Sequence, residues 1–187
     1  MRLILLGAPG SGKGTQGPVL ASHFGATHIS TGELLRAHLT DTNGLGKRIE
    51  DYVRSGELVP DEIVLEFLRD PIATAVASGG YVLDGFPRTV RQAEVAYERA
   101  VPTGTTAEAV VYLAVPDDIV RERLAGRSAE GRADDDAEVI ERRLRIFHSE
   151  TEPLLEYYRG RDLLVPVEAT GSPEDVTAAV LSALARG

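Results

Sequence analysis

The chain has no cysteine and no tryptophan, one methionine, and only two lysines, Lys13 and Lys47, in 187 residues. Without cysteine there is no disulfide framework and no thiolate zinc site, and no zinc is expected. No run of about 18 apolar residues occurs, which leaves no candidate for a membrane-spanning helix. The sequence opens directly on a strand-like run, so we expect no signal peptide or anchor and a cytoplasmic setting. Positive charge is in deficit as well: the formal net charge is −9, which argues against non-specific binding to nucleic acid or anionic membrane. A polyanionic ligand would need a site built from locally gathered arginines. What is present is ordinary for one globular domain with a real core, 43% apolar and 26% charged residues. No internal repeat or low-complexity stretch stands out, and Pro102-Thr103-Gly104-Thr105-Thr106 reads as a surface loop.

The most informative stretch is Gly7-Ala8-Pro9-Gly10-Ser11-Gly12-Lys13-Gly14-Thr15. It follows Arg2-Leu3-Ile4-Leu5-Leu6, a pattern that suits a buried central strand, and precedes helical spacing over 16–24. Strand, glycine loop and helix make the P-loop context. Glycines let successive N–H groups turn toward one point, and the helix N-terminus adds partial positive charge there. Lys13 supplies a mobile full charge for β and γ phosphates. One feature departs from the usual motif: Gly14 follows the lysine, and the hydroxyl arrives one position later at Thr15.

Further along, 26–29 reads as a short strand, with Thr31 and Glu33 in an N-cap region before a helix carrying Arg36. A second helix is expected over 45–55, stopped by Gly56. Residues 30–59 therefore read as a small helical insertion, and Pro60-Asp61 opens the next helix. Tyr81-Val82-Leu83-Asp84 is a second buried strand ending in an acid, followed by Gly85-Phe86-Pro87-Arg88 and a helix from Thr89 that carries Gln92. Asp84 has two readings: a turn former before Gly85, or an acid that orders magnesium or its waters beside the P-loop. A third strand is expected over 109–113 and a helix from Pro116-Asp117. At about 100° per residue, Arg123 falls on that helix's apolar face with Ile119, Val120 and Leu124, while Arg121 lies away from it. Arg127 points the same way as Arg123. A buried arginine needs an anion partner, either a protein carboxylate or a ligand. Residues 126–136 read as a polar, mobile loop. A long helix follows over 137–158, adjusted at Pro153, with Arg143 about 60° from its apolar face and Arg142 about 160° from it. Arg143 is thus a candidate site residue and Arg142 reads as solvated surface. A last strand at 163–167 and a closing helix at 173–185 complete four or five β–α alternations, which imply a doubly wound parallel sheet covered by helices on both sides.

Taken together, Gly7 to Gln16, Ser30-Thr31-Gly32-Glu33-Leu34-Leu35-Arg36, Asp84-Gly85-Phe86-Pro87-Arg88-Thr89 with Gln92, Gly126-Arg127, and Arg132-Ala133-Asp134-Asp135 resemble the adenylate kinase family in the same order and over nearly the whole chain. The resemblance implies one P-loop kinase domain with a five-stranded sheet: a core at 1–29, 60–126 and 138–187, an AMP-binding insertion at 30–59, and a lid at 127–137. It is a short lid without cysteine. By motif, Gly10, Ser11, Gly12, Lys13, Gly14, Thr15 and Arg127 would hold ATP phosphates, and Gly171 would lie near the adenine of ATP. Thr31, Arg36, the backbone of Glu57, Leu58 and Val59, Gly85, Phe86, Arg88 and Gln92 would hold AMP. Arg123, Arg132 and Arg143 would converge on the transferring phosphoryl group, together with Lys13, Arg88 and Arg127, and Arg132 and Arg143 would also contact AMP.

The reaction implied is ATP and AMP giving two ADP, reversibly, with magnesium on the ATP side. No covalent intermediate is needed; the protein aligns the groups, neutralises charge and excludes water, the last by lid closure. ATP, AMP and ADP are the expected partners of a monomer. Two rivals stand beside this reading. One is a UMP or CMP kinase of the same fold, against which Thr31 and the Arg88-to-Gln92 spacing weigh. The other is a P-loop ATP-binding switch, which predicts a single nucleotide site and has no use for arginines from three separate segments.

Overall fold

The computed structural model describes residues 1–38, 45–128 and 137–186. Five strands, β1 (Arg2–Leu6), β2 (Thr27–Ser30), β3 (Tyr81–Asp84), β4 (Ala109–Ala114) and β5 (Leu164–Glu168), form one sheet in the order β2-β3-β1-β4-β5. Every pairing is parallel. The helices are α1 (Lys13–Phe24), α2 (Thr31–His38), α3 (Leu45–Ser55), α4 (Asp61–Ala77), α5 (Val90–Ala100), α6 (Asp117–Ser128), α7 (Ala137–Ile146), α8 (Pro153–Arg159) and α9 (Pro173–Leu184).

Alternation along the strands divides the core into two faces. Leu3 and Leu5 of β1, with Val82, Val111 and Val167, pack under Leu20 of α1 and Val176 and Val180 of α9. Ile4 and Leu6 point the other way and join Leu83 and Val110 against Ile63 and Leu68 of α4, Ala93 of α5 and Leu154 of α8. A third cluster sets Ala8, just past β1, on Val120 and Leu124 of α6 and Ile140, Leu144 and Phe147 beyond and along α7. The P-loop is therefore seated on the same helices that carry Arg123 and Arg143.

Two local features differ from the sequence reading. Ser30, rather than Thr31, caps α2, its Oγ accepting from Glu33 N at 3.4 Å; Thr31 is already helical and its hydroxyl turns into the core. The long helix expected over 137–158 is broken into α7, a π turn at Phe147–Thr151, and α8. Pro153 has no N–H to continue the ladder, and the widened turn before it is closed by Glu152 N donating to Phe147 O at 2.8 Å.

Candidate active site

Register decides where the chemistry can sit. Leu5 pairs with Asp84, so the P-loop after β1 and the Asp84-Gly85 turn after β3 leave the sheet side by side at its carboxyl edge, where open α/β sheets bind ligands. In the loop, Gly10 has φ +80°, and a Cβ there would fall 2.9 Å from Leu124 Cγ. At Gly7 a Cβ would meet Ser11 Oγ at 2.5 Å and Leu113 O at 2.9 Å. Glycine is required at both places for the loop to close down on its support. Gly12, the N-cap of α1, offers no side-chain cap, so the cap residue leaves the first amides of α1 to a ligand. Lys13 folds back over the loop, its Nζ donating to Gly7 O at 2.8 Å and Ala8 O at 2.9 Å. Ser11 Oγ is buried and makes no hydrogen bond.

Opposite the loop, Arg88 is held from several sides. Its Nε donates to Gly85 O at 3.0 Å, its N–H to Gln92 Oε1 at 2.7 Å, and its carbonyl accepts from Thr151 Oγ1 at 2.8 Å. Burial pulls its pKa below the ordinary guanidinium value; the charges of Arg143 and Arg36 pull the same way, while Asp84 opposes them. Like charges brought together at a partly desolvated point are a standing electrostatic cost, relieved by a polyanion. Arg36, Arg88, Arg123 and Arg143 line one cleft of about 980 Å³ with the P-loop and Asp84. Phosphate-sized anions fit this chemistry, since guanidinium grips oxygens in a planar fork.

Most residues expected from the sequence can be placed. Gly10 to Thr15, Arg123 and Gly171 line the large cleft. Arg123 Nη2 donates to Ala169 O at 3.0 Å and Thr170 O at 3.3 Å, two backbone carbonyls rather than a carboxylate. Arg36, Leu58, Gly85, Arg88 and Arg143 border both this cleft and a smaller adjoining cavity. Thr31, Glu57, Val59 and Gln92 line the smaller one. Thr31 Oγ1 donates to Asp84 O at 3.0 Å, joining the two expected sites through a buried hydroxyl. Phe86 does not reach either cavity: it is 2% exposed and belongs to the core under α4 and α5, joined to Pro87 by a cis peptide bond. The side chain of Arg127, and Arg132 entirely, lie outside the described residues. Arg121 pairs with Glu141 at 2.6 and 3.2 Å on the surface, as its helical phase implies.

Two residues of the site carried no signal in the sequence. Asp61, read only as a helix opener, accepts from Gln92 Nε2 at 2.6 Å. With Arg88 N–H on Oε1, this fixes which end of the Gln92 amide is which. Thr151 holds the Arg88 carbonyl from a π turn 63 residues away; no local pattern points to it.

A P-loop at the end of a central parallel strand, with guanidinium groups gathered from α2, the β3–α5 turn, α6 and α7 around one cleft, defines a phosphotransferase of the nucleoside monophosphate kinase class. The adenylate kinase family profile matches residues 5–163. Among relatives, the chain is 47% identical to adenylate kinase 1 of a Nostoc species, covering 94% of each chain. It is 44% identical to an adenylate kinase of Rhodococcus erythropolis over the full length of both, and 39% to one of Streptomyces griseus, covering 98% of this chain and 97% of the relative. The chain belongs to the adenylate kinase family. No helix among the described residues is long and apolar enough to cross a membrane.

Proposed function

We propose that this chain transfers the γ-phosphoryl group of magnesium-bound ATP to AMP, reversibly, giving two ADP, and that it does so as a monomer in the cytoplasm. One observation carries the proposal: in a protein of net charge −9, Arg36, Arg88, Arg123 and Arg143, from four separate segments, line the same cleft as the P-loop and Lys13.

The chain's work is placement and charge neutralisation. The α1 N-terminus and the P-loop amides take the β and γ phosphates of the donor, and Lys13 exchanges its two carbonyls for phosphate oxygens. Arg88, held at both ends of its backbone, fixes the acceptor phosphate in line with the γ-phosphorus; Arg36 and Arg143 share its charge. Arg123 spans the donor's side, where it also anchors the 169–170 carbonyls; Arg127 and Arg132 are assigned by resemblance alone. Gln92, oriented by Asp61, and the backbone of 57–59 beside Thr31 receive the AMP nucleoside.

Among the described residues no group of three or more His, Asp or Glu is gathered for a metal. The carboxylate of Asp84, with the Ser11 and Thr15 hydroxyls in the same cleft, fits a hard cation that keeps waters and takes phosphate oxygens. Magnesium supplies charge neutralisation on the donor's phosphates, and Asp84 would hold it through water. The test is calorimetric titration with a two-headed ligand of two adenosines joined by a polyphosphate. One molecule per chain, displacing both ATP and AMP, is expected. Displacement of ATP alone, with AMP unaffected, would contradict the two-nucleotide cleft.

A further inference from the structure

Arg142 is not the solvated surface residue that its helical phase suggested. It lies on the side of α7 turned from that helix's own core, but another element is packed there: its guanidinium is partly buried, and Nη1 donates to Ser55 O at 3.0 Å. Ser55 is the last residue of α3. Beyond it, Gly56 has φ +75° and Glu57 N donates back to Tyr52 O at 3.0 Å, a Schellman-type ending. That ending satisfies the Tyr52 carbonyl and leaves the Ser55 carbonyl to a side-chain donor. A cation there also meets the negative end of the α3 dipole.

The contact continues one residue on. A Cβ at Gly56 would fall 2.9 Å from Arg143 Cγ and 3.0 Å from Val139 Cγ1, so the backbone of Gly56 lies directly on α7. Val139, Arg142 and Arg143 thus grip the 55–56 turn, and the chain runs straight from it into Leu58 and Val59, which line the smaller cavity with Thr31 and Gln92. Arg142 itself lines neither cavity.

The geometry points to Arg142 as a positioning residue: a latch that fixes the C-terminal end of α3 on α7 and thereby holds the 56–59 segment where the acceptor nucleotide binds. This rests on the smaller cavity being the AMP site. Without the latch, α3 and its following turn must be ordered by AMP itself, which lowers affinity for AMP and leaves the donor side and the chemical step alone.

The test compares Arg142→Ala and Arg142→Lys. In Arg142→Ala, KM for AMP and the calorimetric Kd for AMP should rise about three- to tenfold, the loss of one partly exposed charge-assisted hydrogen bond. KM for ATP and kcat should stay within about twofold. Lysine keeps a donor at the α3 end and should recover most of the AMP affinity. An unchanged KM for AMP, an equal rise for ATP, or a loss confined to kcat overturns the latch. Amide hydrogen exchange at 52–58 separates it from the parent reading: exchange should quicken in Arg142→Ala whichever nucleotide the wild type accepts, and unchanged exchange overturns the latch by itself. Absence of any AMP-dependent transfer in the wild type would instead overturn the assignment of the site.

Discussion

Replacing Arg88 with methionine separates what this residue does for catalysis from what it does for the fold. Arg88 is half-buried beside Arg143 and Arg36, and the balance of desolvation and charge disfavours its protonated form despite Asp84. Methionine keeps much of the volume and removes the charge, so packing under Thr151 and Gln92, both of which bond to the Arg88 backbone, is preserved. Stability should be unchanged or slightly raised, since a group held against electrostatic repulsion is a cost that function imposes on the fold. Catalysis should suffer heavily. Losing one preorganised charged donor at a developing anion costs about 3–4 kcal/mol, or a factor of roughly 10²–10³ in kcat. Thermal unfolding and a coupled steady-state assay on the same preparation read the two effects. Near-normal turnover would refute the role of Arg88 as a phosphate clamp. A large drop in Tm would refute the claim that its charge strains the fold.

Other outcomes follow from single contacts. Asp61→Leu removes the acceptor of Gln92 Nε2 and should raise KM for AMP about tenfold, the cost of an unsatisfied buried amide; Asp61→Asn, which keeps an acceptor, should stay near wild type, and equal losses in both would sink the orientation argument. Gly17→Ala would bring a Cβ within 2.5 Å of the His28 ring and should destabilise by about 1–3 kcal/mol, with most of the loss absent in a His28→Ser background; equal losses in both backgrounds would place the strain elsewhere. Hydrogen bonds to Glu152 at 2.8 Å and Asp117 at 3.0 Å hold the His148 imidazole above its usual pKa, while Arg121 sits 3.8 Å from Asp117. Stability from protonated His148 is therefore complete below about pH 6.5 and lost as pH rises through the raised value. The site is exposed, so the gap in unfolding free energy between wild type and His148→Gln should be small, under about 1 kcal/mol, but wider at pH 5.5 than at pH 9; an equal gap at both, read by denaturant unfolding, would contradict this.

How much of this was legible beforehand depends on the range of the interaction. The β3 strand ends at Asp84 and α3 at Ser55, as read from the sequence, because an apolar run closed by Asp-Gly and a helix closed by glycine are local signals. The seating of the P-loop was legible in its glycines, though not the reason Gly10 must be bare, which is Leu124 of α6. Helical phase separated Arg123 from Arg121 correctly in space, yet failed for Arg142, because phase gives an angle from a helix's own core and says nothing of a second helix end packed on the far side. Asp61, Thr151 and the bond from Gln16 Nε2 to Pro173 O at 2.9 Å join segments 31 to 157 residues apart. Only the fold brings such partners together.

The central claim is that one cleft holds a donor and an AMP acceptor and moves a phosphoryl group between them. Phosphorus NMR of the products, with purified protein, magnesium, ATP and each of AMP, GMP, CMP and UMP in turn, tests it most directly. The account predicts ADP formed with AMP and not with the other three, and only when magnesium is present. Phosphoryl transfer to UMP or CMP instead, or free phosphate released regardless of acceptor, would contradict it.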